Sequence, residues 1–125
     1  MATLTDTTNP SGRLIAASQV SGTVVYNPQG ERLGKIEDLM IDKVSGRIPY
    51  AVLSFGGFLG IGDRYYPLPW PQLRYDTGMG GYVVNLDKRM LDNAPSYAAG
   101  ATPDWNDDTW GRSVYGYYKT DPYWS

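Results

Sequence analysis

Cysteine and histidine are both absent from this chain. Disulfides, thiolate nucleophiles and imidazole acid–base catalysis are excluded together, and with them nearly every zinc, copper or haem site. Only cation sites built from oxygen ligands stay open. An excess of positive charge is lacking too, since eleven Lys and Arg stand against thirteen Asp and Glu for a net charge of −2. A nucleic-acid surface needs a basic footprint that releases counterions, so no nucleic-acid partner is expected. No run approaches the ~20 apolar residues that span a bilayer. No basic start leads into an apolar stretch, so neither a membrane span nor a secretory signal is expected, and a cytoplasmic protein is.

What is present is one domain's worth of chain: 125 residues, 42% hydrophobic and 19% charged, enough for a single modest core. Residues 1–12 are polar and Thr-rich and read as a disordered tail. Thr23-Val24-Val25-Tyr26 is β-branched and aromatic and predicts a strand, closed by an Asn27-Pro28-Gln29-Gly30 turn. Lys35 to Asp42 is ambiguous. Ile36, Leu39, Met40 and Val44 fall at helical spacing, yet the segment is short and bounded by Gly34 and Ser45-Gly46. A strand with a bulge near Asp38 fits better, with a hairpin turn at Val44-Ser45-Gly46.

Ile48 to Phe55 is the strongest strand, apolar on both faces, with Pro49 pointing to an edge or bulge position. Tyr65 to Pro69 is extended, and Pro71-Gln72-Leu73 suits one short helical turn. Arg74-Tyr75-Asp76 and Tyr82-Val83-Val84 flank a Gly-rich hairpin turn, and Asp87 caps a short helix through Leu91. About six short strands with little helix predict a mainly β protein, a small antiparallel β-barrel with one or two short helices. From Ala99 to Ser125 the character changes: three of the four tryptophans and four tyrosines cluster there, almost without aliphatic residues.

Gly22-Thr23-Val24-Val25, Gly30-Glu31-Arg32-Leu33-Gly34-Lys35-Ile36-Glu37-Asp38, Asp42, Ser45-Gly46-Arg47-Ile48, Tyr50-Ala51-Val52-Leu53-Ser54 and Pro67-Leu68-Pro69-Trp70 together resemble the PRC-barrel domain. That family includes the cytoplasmic domain of the photosynthetic reaction-centre H subunit, a domain of the bacterial ribosome maturation factor, and many stand-alone bacterial proteins. The resemblance covers residues 13–98, leaving 99–125 as an aromatic extension. Neither the membrane helix of the H subunit nor the extra N-terminal domain of the maturation factor is expected here, and the sequence is most similar to the stand-alone members. The resemblance implies an assembly or adaptor module rather than an enzyme.

Gly56 to Asp63 has no Lys-Ser/Thr for a phosphate loop, and reads as a wide turn. Its Phe58, Leu59 and Ile61 either close the barrel end or, if exposed, form an apolar contact patch. Asp38 and Asp42 suit bonds to backbone N–H groups at the bulge and the turn. Asp104 to Asp108 resembles half of a calcium loop but has Thr109 where the glycine belongs and Tyr115 where the bidentate Glu belongs. No metal or other cofactor is expected.

Trp110, Val114 and Tyr118 recur four apart and would line one helix face, weakened by Gly111 and Gly116. That face is either a lid on its own barrel or a seam with a second copy or another protein. On the second view Trp105, Trp110, Val114, Tyr115, Tyr118, Tyr123, Trp124, Phe58 and Leu59 are the interaction residues and a homodimer is expected. A ligand-binding alternative places a pocket among Tyr50, Tyr65, Tyr66 and Trp70.

Overall fold

The computed structural model describes residues 14–55, 64–86, 88–98 and 100–121. A short helix α1 (Ala17–Val20) leads through Gly22, at φ +91°, into strand β1 (Val24–Tyr26). The turn after β1 is built on Asn27, which is buried and bonded through both its amide oxygen and its amide nitrogen. Its Oδ1 accepts the N–H groups of Gln29 and Glu31 at 3.0 and 2.9 Å, and its Nδ2 donates to Glu31 Oε1 at 2.7 Å. A buried amide left without such partners would cost roughly 1–3 kcal/mol.

Strand β2 (Arg32–Met40) carries a register shift between Ile36 and Asp38, so the apparent helical spacing is a bulged strand. Asp38 Oδ1 accepts the Leu39 N–H there at 2.8 Å. Gly34 lies so close to β3 that an added Cβ would sit 2.1 Å from the Ser54 carbonyl oxygen. Asp42 opens the next turn by accepting the N–H groups of Val44 and Ser45 at 2.9 and 3.2 Å. Strands β3 (Tyr50–Phe55) and β4 (Arg64–Pro69) follow. After a 3₁₀ turn at Trp70–Gln72 come hairpin strands β5 (Arg74–Asp76) and β6 (Gly81–Val83), helix α2 (Lys88–Asp92), strand β7 (Tyr97–Ala98) and helix α3 (Asp108–Tyr117).

The protein is mainly β, with seven strands in one sheet of order β5-β6-β1-β2-β3-β4-β7. Three expectations are corrected. The sheet is mixed, because β1 and β6 pair in parallel, Val25 beside Tyr82 and Tyr26 beside Val83. The long excursion through β2–β5 supplies the crossover such a pair requires. No pairing joins β5 to β7 among the described residues, so the sheet is open rather than closed. Pro49 also marks no edge: β3 lies between β2 and β4, and the proline sits just before it, where its missing N–H breaks no ladder bond. Prolines 67 and 69 sit in β4 beyond the reach of two-residue β7, which pairs only at Arg64 and Tyr65. Residues 1–13, including the expected polar tail, lie outside the described residues.

Candidate interaction site: the C-terminal extension and the sheet ends

Both faces of β3 are buried: Tyr50, Ala51, Val52 and Leu53 are 4, 1, 2 and 0% exposed. One face is the interior, where Leu53 lies opposite Ile36 and Tyr66, and Ala51 opposite Leu68. On the other face Tyr50, Val52 and Ser54 stand opposite Pro69, Pro67 and Tyr65. A lone sheet would leave that second face wet. The extension covers it. The Trp105 ring centroid lies 5.4 Å from that of Tyr50 and 5.9 Å from that of Tyr97, and Tyr97 meets Tyr65 at 5.5 Å. Trp105 thus links Tyr50 to Tyr97 on that face. Burial first, then the Asp38 carboxylate, Tyr65 and Glu37, push the Tyr97 phenol up to about 12.

Helix α3 is capped at both ends, which offsets its two glycines. Asp107 accepts the Thr109 N–H at 2.8 Å, and one turn earlier Asp104 accepts that of Asn106 at 3.0 Å. At the other end Lys119 takes φ 54°, and its N–H and that of Thr120 return to the carbonyls of Gly116 and Tyr115, the Schellman arrangement. The acidic stretch that resembled half a calcium loop therefore spends carboxylate oxygens on its own backbone.

The helix docks by its inner side. Val114, Tyr115 and Tyr118 are buried in the common core, and Trp110 and Tyr117 are half-buried against it. The Tyr115 hydroxyl donates to the Pro49 carbonyl at 2.6 Å, and its ring meets Tyr50 edge-on at 5.5 Å. Gln72 Nε2 donates to the Tyr118 carbonyl at 3.2 Å and to Thr120 Oγ1 at 2.7 Å. The Tyr117 hydroxyl donates to the Met90 carbonyl, tying α3 to α2. Two buried groups find no partner among the described residues, Trp110 Nε1 and the Tyr118 hydroxyl. Burial drives the Tyr118 phenol far above its ordinary range, with Tyr117 and Tyr66 adding to the rise.

The nine expected interaction residues are thus distributed unevenly. Val114, Tyr115 and Tyr118 are buried in the chain's own core; Trp105 and Trp110 are half-buried on it; Phe58, Leu59, Tyr123 and Trp124 lie outside the described residues. The four residues of the ligand alternative do not share a face. Tyr65 and Tyr66 are neighbours on one strand and point to opposite sides, Tyr50 is held by Trp105 and Tyr115, and Trp70 meets Tyr82 at 5.7 Å. Among the described residues no three carboxylates gather as a cation site. Asp42 is held below the usual carboxylate range by the N–H groups of Val44 and Ser45.

Sequence reasoning missed Tyr97, Gln72 and the Pro49 carbonyl, all outside any motif. It also missed the far end of the sheet, where Tyr75 and Met79 are 47 and 37% exposed. The signal for Tyr75 was present: it is an aromatic in a three-residue strand with charges on both sides.

A small, mainly β sheet coiled around one core, finished by a short helix, is the class of protein this chain forms. More particularly, the family model for the PRC-barrel domain matches residues 12–91, well over half of the chain, and the chain belongs to that family. No curated protein matches it significantly. The match ends before Tyr97, Trp105 and α3, so the cover on the second face of β3 lies outside it. Among the described residues no helix is long and apolar enough to cross a membrane.

Proposed function

We propose that the protein is a non-enzymatic interaction module, an adaptor barrel whose C-terminal extension completes its own fold and whose exposed rim meets partners. The observation that supports this reading is the filled interior. Ile36, Leu53, Leu68, Leu91, Val114 and Tyr115 occupy the space that a ligand-binding barrel would keep open. The side-chain oxygens of Asn27, Asp42, Asp76 and Asp107 each accept backbone N–H groups in turns and caps.

Affinity capture from native extract tests it, with the full-length chain as bait, because a bait ending before α3 would lose buried core residues. A protein recovered in stoichiometric amount supports the adaptor. A small molecule that co-purifies with the chain and raises its melting temperature, with no protein recovered, contradicts it.

A further inference from the structure

Strand β5 ends the sheet, and no described strand pairs with its outer edge. Such an edge is a template for another strand. Its three residues are Arg74, Tyr75 and Asp76. Arg74 and Tyr75 are exposed, and no described residue forms an ion pair with the Arg74 guanidinium. Asp76 accepts the N–H groups of Gly78 and Met79 at 2.8 and 3.1 Å, both through Oδ1, which leaves Oδ2 for an incoming cation. Tyr75 stacks edge-on against Tyr82 at 5.1 Å on the apolar face, while its neighbours point to the other face. Tyr82 in turn meets Trp70, so the ring is preorganised by a three-ring ladder.

An occupant of this edge must offer an acid opposite Arg74, a base opposite Asp76 and a ring-tolerant position between them. An antiparallel copy of β5 meets all three demands. With Tyr75 opposite Tyr75, Arg74 of one chain faces Asp76 of the other, twice by symmetry. We propose that two copies of this chain associate through β5, edge to edge about a two-fold axis centred on Tyr75, joining two sheets into one. The other sheet end offers no equivalent, since β7 has two residues and Trp105 rests on its Tyr97. The inference deepens the reading of the chain as an interaction module by naming a second copy as one partner.

Sedimentation equilibrium of the full chain tests it. The wild type is expected to shift from monomer to dimer as concentration rises. Arg74→Glu sets like charges opposite each other twice and should weaken the dimer by about tenfold or more. Asp76→Lys should do the same. An equal mixture of the two variants restores two opposite-charge pairs and should regain wild-type association. Because Asp76→Lys also removes a turn acceptor, isotope-filtered NMR of mixed labelled and unlabelled wild type gives an independent readout: contacts from Tyr75 to Tyr75 across copies. A wild type that stays monomeric, or a dimer indifferent to Arg74→Glu, overturns the proposal. Neither result touches the capture experiment, which asks about other proteins.

Discussion

The two ends of this sheet are finished in different ways. At the β3–β4–β7 end the chain folds back on itself: Trp105 lies across Tyr50 and Tyr97, and α3 plants Tyr115 against Pro49. At the β5–β6 end the rim is bare, with Tyr75 and Met79 half in solvent and Arg74 unpaired among the described residues. The difference shows how a small barrel-like sheet divides its aromatic residues. Rings in the extension complete the interior and a second sheet face, whereas rings at the β5 rim are left available. The aromatic tail, viewed as sequence, allows either a lid or a seam, and among the described residues the most exposed aromatic side chain, Tyr75, lies at the opposite end.

Substitutions at the two ends should separate sharply. Tyr115→Ala removes a fully buried ring and a bond to Pro49, and should cost about 3–5 kcal/mol in urea denaturation. Tyr115→Phe should cost only about 1 kcal/mol, because the Pro49 carbonyl still accepts the Trp70 N–H at 3.2 Å. If Tyr115→Ala left the denaturation midpoint unchanged, the clamped end would not be clamped.

Alkaline pH attacks both ends through their phenols, Tyr97 and Tyr118 at the clamped end and Tyr82 on β6. Tyr97 is pushed up to about 12, and Tyr118 and Tyr82 are raised chiefly by burial. The fold holds these phenols protonated while the unfolded chain ionises them near pH ~10. Stability is therefore whole below about pH 10 and falls as pH climbs through the folded values. Phenolate absorbance should show a late fraction that appears together with loss of the near-ultraviolet dichroism.

Tyr118→Phe probes a smaller effect of opposite sign. The hydroxyl is buried without a partner among the described residues. Deleting it should leave stability unchanged or raise it by up to about 1 kcal/mol. A loss above that would reveal a bond to the hydroxyl. Least affected should be Tyr75→Ser at the bare end, within about 0.5 kcal/mol of wild type for the monomer in chemical denaturation at low concentration. The same variant should weaken self-association.

Local features were legible in the sequence for local reasons. Gly30 and Asn27 announced their turn, Asp42 its hairpin, and the broken alternation between Ile36 and Leu39 the bulge at Asp38. The apolar run Tyr50-Ala51-Val52-Leu53 announced a strand buried on both faces, but not what buried the second one. That cover comes from Trp105, whose meeting with Tyr50 and Tyr97 depends on a chain path no local pattern encodes. The parallel β1–β6 pair was hidden for the same reason, since Val25 and Tyr82 are far apart in the chain. Helix α3 looks weak in isolation because of Gly111 and Gly116; its stability is tertiary, supplied by Val114, Tyr115 and Tyr118.

Native-state hydrogen exchange on the full chain tests the central claim most directly, namely that the extension is part of one cooperative fold. The amides of Val114, Tyr115 and Tyr118 should exchange with the same opening free energy as those of Val52 and Leu53 in β3. Exchange at α3 that is orders of magnitude faster, with β3 still protected, would make the extension a detachable arm and contradict the account.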